Sequence, residues 1–200
     1  MRSNASCGPI IGEKIMKENK SYGQFPRKDE VRFVRLLPGP IERVWTYLTD
    51  SEKRGTWLAK GSMDLRVGGR VELKFHHADF VPHEKIPDKW KHVAGGHGLE
   101  GRITRCEPPR VLSFTWPEEP GDNSEVTFEL AERGEDVELV LTHRRLPNSE
   151  MARGVAGGWH AHLGVLAARL AEAPLPPFWG TMLRLESGYR RRLAAAFPEK

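Results

Sequence analysis

Cysteine is scarce in this chain, and long apolar runs are absent. Of the 200 residues, only Cys7 and Cys106 are cysteines, so a disulfide framework is excluded and a reducing, cytoplasmic setting is expected. No stretch is apolar for long enough to form a membrane-spanning helix. The first twenty residues also lack the apolar segment that follows the basic residues of a secretory signal.

A one-sided distribution of charge is missing as well. The chain has 31 basic and 27 acidic residues, for a formal net charge of +4. Arg190, Arg191 and Arg192 form a tight basic run, but no aromatic residues alternate with it. A solvated helix face explains such a run better than a nucleic-acid groove does, so no nucleic-acid partner is predicted.

Signatures of catalysis and of cofactor binding are also missing. The chain has no glycine-rich phosphate loop, no Cys-x-x-Cys pair, no His-Glu-x-x-His motif and no Gly-x-Ser-x-Gly turn. No catalytic residue, cofactor or metal ligand is therefore predicted, and the sequence favours a non-enzymatic function.

Short alternating segments are what the chain does contain. Alternation predicts a first strand over residues 31–36 and a hairpin across Gly68-Gly69, with Met63, Leu65 and Val67 on one arm and Val71, Leu73 and Phe75 on the other. Four further strands carry inward residues at Ile103; at Leu112, Phe114 and Trp116; at Val126, Phe128 and Leu130; and at Val137, Leu139, Leu141 and His143. One apolar face per strand is typical of an antiparallel sheet packed on one side.

Helical spacing appears before and after these strands. Pro40 suits a first helical position, and it precedes one apolar face of Ile41, Val44, Trp45 and Leu48. A second short helix is predicted over residues 51–57. A long helix, capped by Asn148 or Ser149, follows Pro147 with a stripe of Met151, Val155, Trp159, Leu163, Leu166 and Leu170.

A last amphipathic helix is predicted near the end of the chain, with Phe178, Met182, Leu185, Tyr189 and Leu193 on one face. An isolated helix of this length is marginal in water. We therefore expect it to pack on the body of the protein or on a second subunit, the latter giving a homodimer through the C-terminal helix.

Five segments in a fixed order carry a family resemblance: residues 40–57 (PIERVWTYLTDSEKRGTW), 101–116 (GRITRCEPPRVLSFTW), 124–130 (SEVTFEL), 137–143 (VELVLTH) and Gly158-Trp159. Together they resemble the activator-of-heat-shock-protein-ATPase-homologue-like (AHSA-type) proteins of the START-like SRPBCC superfamily. The resemblance implies an α+β helix-grip (START/Bet v-like) fold, in which a bent antiparallel sheet wraps around a long C-terminal helix. The short last helix would be an addition to that fold.

This resemblance and the composition together divide the chain into three parts. Residues 1–30 are polar and aperiodic and are expected to form a disordered or loosely attached arm. Residues 31–172 are expected to form the START-like domain. Residues 173–200 are expected to contain a proline-rich linker and the last helix.

A cavity between sheet and helix is the usual ligand pocket of the resembled fold. The inward aromatic residues and one inward histidine are the ligand-binding candidates: Trp57, Phe75, Trp116, Phe128, His143 and Trp159. His143 is expected to be a buried histidine bonded to backbone or to a helix residue such as His162, or else a group that polarises the ligand. Gly154, Gly157 and Gly158 lie inside the long helix, where they are expected to serve close packing against strands or close approach of a ligand.

Histidine is concentrated between residues 76 and 97. His76, His77, His83, His92 and His97 all lie there. Their spacing matches no recognised zinc pattern, so a polar loop with exposed histidines is favoured, although a metal site is the alternative. In the resembled family this segment is an insertion that would cover the cavity mouth, with Phe80 and Trp90 as its apolar anchor.

The leading functional hypothesis is a binding module that holds a hydrophobic or aromatic small molecule between the sheet and the long helix. A protein-interaction module that activates a chaperone ATPase is the second, but that activity belongs to proteins with an additional N-terminal domain, and an arm of about thirty residues is too short to form one. A cyclase- or hydrolase-like enzyme using the same cavity is the third, and fold alone does not support it.

Overall fold

A seven-stranded antiparallel sheet forms the framework of the protein. The computed structural model describes residue 19 and residues 21–81, 83–117 and 123–198. The strands are ordered β1-β2-β7-β6-β5-β4-β3 across the sheet. They are β1 (Gln24–Arg27), β2 (Glu30–Pro38), β3 (Arg70–Phe75), β4 (His97–Glu107), β5 (Val111–Thr115), β6 (Glu125–Arg133) and β7 (Asp136–Arg144).

Four α-helices accompany the sheet in the described part of the chain: α1 (Ile41–Thr49), α2 (Ser51–Gly55), α3 (Ser149–Leu170) and α4 (Phe178–Ala196). The bent sheet wraps around the long helix α3, and α4 packs on α3. The predicted α+β helix-grip fold with one extra helix is therefore confirmed. None of the described helices combines the length and apolar character needed to cross a membrane.

Strand β7 shows how local sequence determines the buried face. Val137, Leu139, Leu141 and His143 are all at most 1% exposed, whereas the residues between them are only half-buried. The bend of the sheet has a local cause in β4, where the pairing with β5 changes register between Ile103 and Arg105. Such bulges bend a strand and increase its twist.

The predicted hairpin across Gly68-Gly69 is wrong in its first arm. Only Lys60 and Met63 make bridges to β3, and Leu65 and Val67 are 40% and 67% exposed. Residues 64–69 fold instead into consecutive turns, in which the Arg66 amide donates to the Asp64 carbonyl and the Gly69 amide donates to the Arg66 carbonyl. These turn bonds compete with a regular ladder and prevail over the alternating pattern.

The predicted arm over residues 1–30 extends too far into the chain. Strand β1 lies within it and pairs with β2, and Phe25 packs edge-to-face on Tyr189 of α4. Residues 1–18 and 20, with Cys7, lie outside the described residues.

Helix α4 packs on the same chain. Phe178, Leu185, Tyr189 and Leu193 of its predicted apolar face are buried. The Tyr189 hydroxyl accepts from the Gly23 amide at 3.0 Å and lies 2.8 Å from His160 Nδ1 on α3. The body of the same chain covers this face. The apolar face of α4 therefore gives no reason to expect a homodimer through this helix.

Candidate functional site

A cavity of about 670 Å³ lies between the sheet, the first half of α3, the segment before β4 and helix α4. This volume falls within the usual range for small-molecule sites. Its walls combine aromatic side chains, several imidazoles and bare helix backbone.

Four of the six predicted ligand-binding residues line the cavity: Phe75, Trp116, His143 and Trp159. Trp57 and Phe128 do not line it. Trp57 is fully buried, with its indole N–H donating to the Tyr47 carbonyl at 2.9 Å. Phe128 lies behind Trp159, in edge-to-face contact at 5.7 Å. Both are therefore buried core residues that do not reach the cavity surface.

The aromatic wall is one connected cluster. The rings of Phe75 and Trp116 are 5.7 Å apart, and those of Trp116 and Trp159 are 5.1 Å apart. Both contacts are edge-to-face, a favourable geometry for aromatic pairs. The wall is therefore held rigid by its own packing.

His143 is held by hydrogen bonds on both sides of its ring. The Trp159 indole N–H donates to His143 Nδ1 at 3.1 Å, so the ring proton lies on Nε2, which is 3.2 Å from Ser124 Oγ. Ser124 in turn donates to the Trp116 carbonyl. The expected helix partner is thus Trp159 and not His162. Since both ring nitrogens are engaged within the protein, His143 orients the indole of Trp159, and the geometry does not favour the ligand-polarising role.

The three glycines of α3 do not pack closely against strands. Among the described residues, no atom lies within 4 Å of a Cβ added at Gly154, Gly157 or Gly158, which leaves close approach of a ligand as the alternative. All three line the cavity. Each mid-helix glycine costs up to about 1 kcal/mol relative to alanine, and packing does not account for that cost here.

The segment before β4 is attached to helix α4 by several contacts. Both carboxylate oxygens of Glu84 accept from the first amides of α4, those of Phe178 at 2.6 Å and Trp179 at 3.0 Å. The expected anchors Phe80 and Trp90 pack on the rings of the same two residues, 5.5 Å away in each case. This segment therefore docks on a helix that lies beyond the START-like domain expected over residues 31–172.

The charged side chains that line the cavity in the described part of the chain are two bases and two acids. Lys89 Nζ pairs with Glu186 Oε1 of α4 at 2.5 Å, and Arg153 and Glu150 of α3 also line the cavity. These four charges sum to zero.

The histidine-rich segment is not uniformly exposed. His77 is only 9% exposed and packs against the rings of Phe178 and Trp179 at 5.1 and 4.9 Å. His97 stacks on Phe75 at 4.5 Å. Across the described residues, no group of three or more His, Cys, Asp or Glu side chains is placed to hold a metal ion.

Burial keeps two cavity imidazoles uncharged near neutral pH. Burial, with the neighbouring His97 and His76, lowers the pKa of His77 to about 4. Burial also lowers the pKa of His162 to about 3, aided by His77 and opposed by a hydrogen bond to the Trp57 carbonyl. Both rings therefore present neutral hydrogen-bonding nitrogens.

Sequence patterns did not assign His77, His162, Met182 or Glu186 to the cavity. Their placement depends on where α4 docks, which no local pattern encodes. The glycine content of α3 is the signal that could have indicated the open space, because three glycines in five residues are unfavourable in a helix interior.

A bent antiparallel sheet closed over a long helix, with a cavity between them, defines a START-like helix-grip protein. The chain belongs to the family described as activator of Hsp90 ATPase homolog 1-like protein, whose model matches residues 38–171. Helix α4 lies outside that match. No curated protein matches the chain.

Solved structures agree with this assignment. A protein from Bordetella parapertussis, solved by NMR, is 44% identical, with a TM-score of 0.75, and the match covers 96% of this chain and 95% of that one. The crystal structure of CalU16 from Micromonospora echinospora is 24% identical over 82% of this chain and 88% of that one, with a TM-score of 0.63. A conserved protein of unknown function from Enterococcus faecalis is 16% identical over 91% and 98%, with a TM-score of 0.64. The last two show the fold alone.

Proposed function

We propose that the protein is an SRPBCC-type binding module that holds a hydrophobic or aromatic small molecule between the sheet and helix α3. The observation that carries this proposal is the bare backbone of Gly154, Gly157 and Gly158, which faces open cavity space. Side chains at these positions would help the helix and would fill the space. Their absence suits a ligand that lies directly on the helix.

The walls support an apolar and flat ligand. Phe75, Trp116 and Trp159 provide fixed aromatic faces, and the edge charges cancel. Aromatic rings stack or meet edge-to-face on such surfaces with a gain beyond area burial.

The other two functions have less support. Of the described side chains that line the cavity, none is a serine, threonine, cysteine or tyrosine, which gives an enzyme no hydroxyl or thiol nucleophile there. The family description names an Hsp90 ATPase activator, and a chaperone role for this chain would be tested by pull-down with that chaperone. A cytoplasmic location stays a prediction from the low cysteine content.

The test is the binding of 2-methylnaphthalene, followed through the six indole N–H resonances. We expect the indoles of Trp90, Trp116 and Trp159, which line the cavity, to shift on titration. Those of Trp45 and Trp57, which do not line it, serve as internal controls.

A matched pair of variants localises the binding. Gly158→Leu should weaken binding at least about tenfold, because it fills the open space, and should leave the melting temperature unchanged or higher. Gly164→Ala lies on the same helix but faces Pro176, so it should leave affinity unchanged. Unaltered affinity in Gly158→Leu would refute the proposal.

A further inference from the structure

Two imidazoles meet at one wall of the cavity. The rings of His77 and His162 lie 5.7 Å apart, and both residues line the cavity. Their hydrogen-bonding states differ, and the surrounding contacts determine each of them.

His162 presents an acceptor. Its Nδ1 lies 2.6 Å from the Trp57 carbonyl oxygen, which can only accept, so the ring proton of the neutral imidazole is on Nδ1. The lone pair is then on Nε2. Within the described part of the chain, no hydrogen bond engages Nε2, and it is not among the buried unpartnered atoms. It is therefore open to the cavity.

His77 presents a donor. Its Nδ1 is buried and has no hydrogen-bond partner among the described residues. A buried N–H without a partner is rarely tolerated, so the proton is assigned to Nε2. Nε2 is not a buried unpartnered atom, and His77 lines the cavity, so this N–H is directed to the open space.

We propose that His77 and His162 together bind one hydroxyl group of the ligand, His77 donating to its oxygen and His162 accepting its proton. The ligand class is then a neutral hydroxylated aromatic compound, with its ring between the indoles and the glycine face of α3. This inference rests on the proposed binding function.

Other polar groups fit the pair less well. A carboxylate has no proton for His162 Nε2, and an ammonium group has no lone pair for the His77 N–H. An ether oxygen accepts from the His77 N–H but has no proton to donate to His162 Nε2. The charges of Lys89, Arg153, Glu150 and Glu186, the charged lining residues in the described part of the chain, sum to zero and likewise favour no charged ligand.

The experiment compares three probes of one shape: 2-naphthol, 2-methoxynaphthalene and 2-methylnaphthalene. Dissociation constants are measured by the indole N–H titration described above. We expect 2-naphthol to bind about tenfold more tightly than 2-methoxynaphthalene, because the ether leaves the acceptor of His162 unpaired.

Four variants assign the preference to the pair. His162→Asn keeps an N–H near the Nδ1 position for the Trp57 carbonyl and removes Nε2, and it should reduce the preference to within about twofold. His77→Asn should do the same, whereas His77→Gln keeps a donor near the Nε2 position and should retain the preference. His83→Asn, at an exposed residue outside the cavity lining, is the control, and melting curves check the folding of all four.

The outcomes separate this inference from the proposed function. Equal affinity of wild-type protein for 2-naphthol and 2-methoxynaphthalene, with 2-methylnaphthalene also bound, overturns the hydroxyl pair and leaves the binding module standing. A preference that survives in both His162→Asn and His77→Asn overturns the pair as well. Failure of all three probes to bind wild-type protein overturns both proposals.

Discussion

The two halves of helix α3 have similar apolar patterns but opposite environments. Leu163 and Leu166 in the second half are fully buried, and Leu170 is nearly so. In the first half, Met151 and Val155 are only half-buried and line the cavity together with the glycines. The same helical spacing therefore serves as core in one half and as cavity wall in the other.

An apolar stripe therefore identifies the inward face of a helix, but it does not indicate whether side chains or open space lie against that face. The second half of α3 has the sheet on one side, and α4 covers part of the helix, as in the contact of His160 with Tyr189. The first half has no side chain at Gly154, Gly157 and Gly158 that could close the space. One truncation, four substitutions and one pH titration test the contrast between the two halves.

Truncation after Glu172 should have the largest effect. It removes the buried Phe178, Trp179 and Tyr189 and uncovers α3, so we expect a loss of at least about 4 kcal/mol, or about 10 °C in melting temperature. Calorimetry measures it. Leu183→Ala, at a residue 49% exposed on α4, is the control, and unchanged stability of the truncated protein would contradict the docking of α4.

Leu166→Ala and Val155→Ala compare the two halves directly. Leu166 is fully buried, so its truncation should cost about 3 kcal/mol, including the cavity left behind. Val155 already borders open space, so the Val155→Ala substitution should lower the free energy of unfolding by less than about 1 kcal/mol. Urea titration of both variants gives the free energies, and equal costs would show that the first half is packed like the second.

Lowering the pH should destabilise the protein through its buried histidines. Burial lowers the pKa of His160 to about 3, like that of His162, and the pKa of His77 to about 4. An unfolded histidine has a pKa of about 6.5, so between these values the unfolded chain binds protons that the folded chain does not. The stability is complete above pH 6.5 and is lost as the pH falls, by up to about 2 kcal/mol per histidine at pH 5.

His160→Asn isolates the histidine on the side packed against α4. Tyr189 Oη, which lies 2.8 Å from His160 Nδ1, retains a polar partner in this variant. The difference between the unfolding free energies at pH 7 and pH 5 should shrink by up to about 2 kcal/mol. If the free energy of unfolding changes equally between pH 7 and pH 5 in wild type and variant, His160 does not contribute to the pH dependence.

Gly157→Ala should have the smallest effect and the opposite sign. No atom of the described residues lies within 4 Å of the added Cβ, and alanine favours a helix interior, so we expect a gain of up to about 1 kcal/mol. Thermal unfolding measures the gain. A loss of stability would mean that this face is packed.

Much of the sheet could be predicted because its signals are local. The inward phase of β7, from Val137 to His143, follows from alternation alone and is confirmed. The prediction of a strand before Gly68 is wrong, although the residues alternate in the same way, because residues 64–69 form turn hydrogen bonds instead.

The candidate site could be predicted only in part. Phe75, Trp116, His143 and Trp159 follow from strand and helix phase, whereas Trp57 and Phe128 are buried but do not line the cavity. The burial of His77 depends on the rings of Phe178 and Trp179. That contact joins distant parts of the chain, and no pattern within either part specifies it.

In the proposed function, the glycine face of α3 is the ligand surface. Intermolecular nuclear Overhauser effects between bound 2-methylnaphthalene and the α-protons of Gly154, Gly157 and Gly158 test this placement of the ligand. We expect contacts to these protons and to the indole of Trp159. Contacts confined to exposed residues outside the cavity, such as Leu65 and Val67, would contradict it.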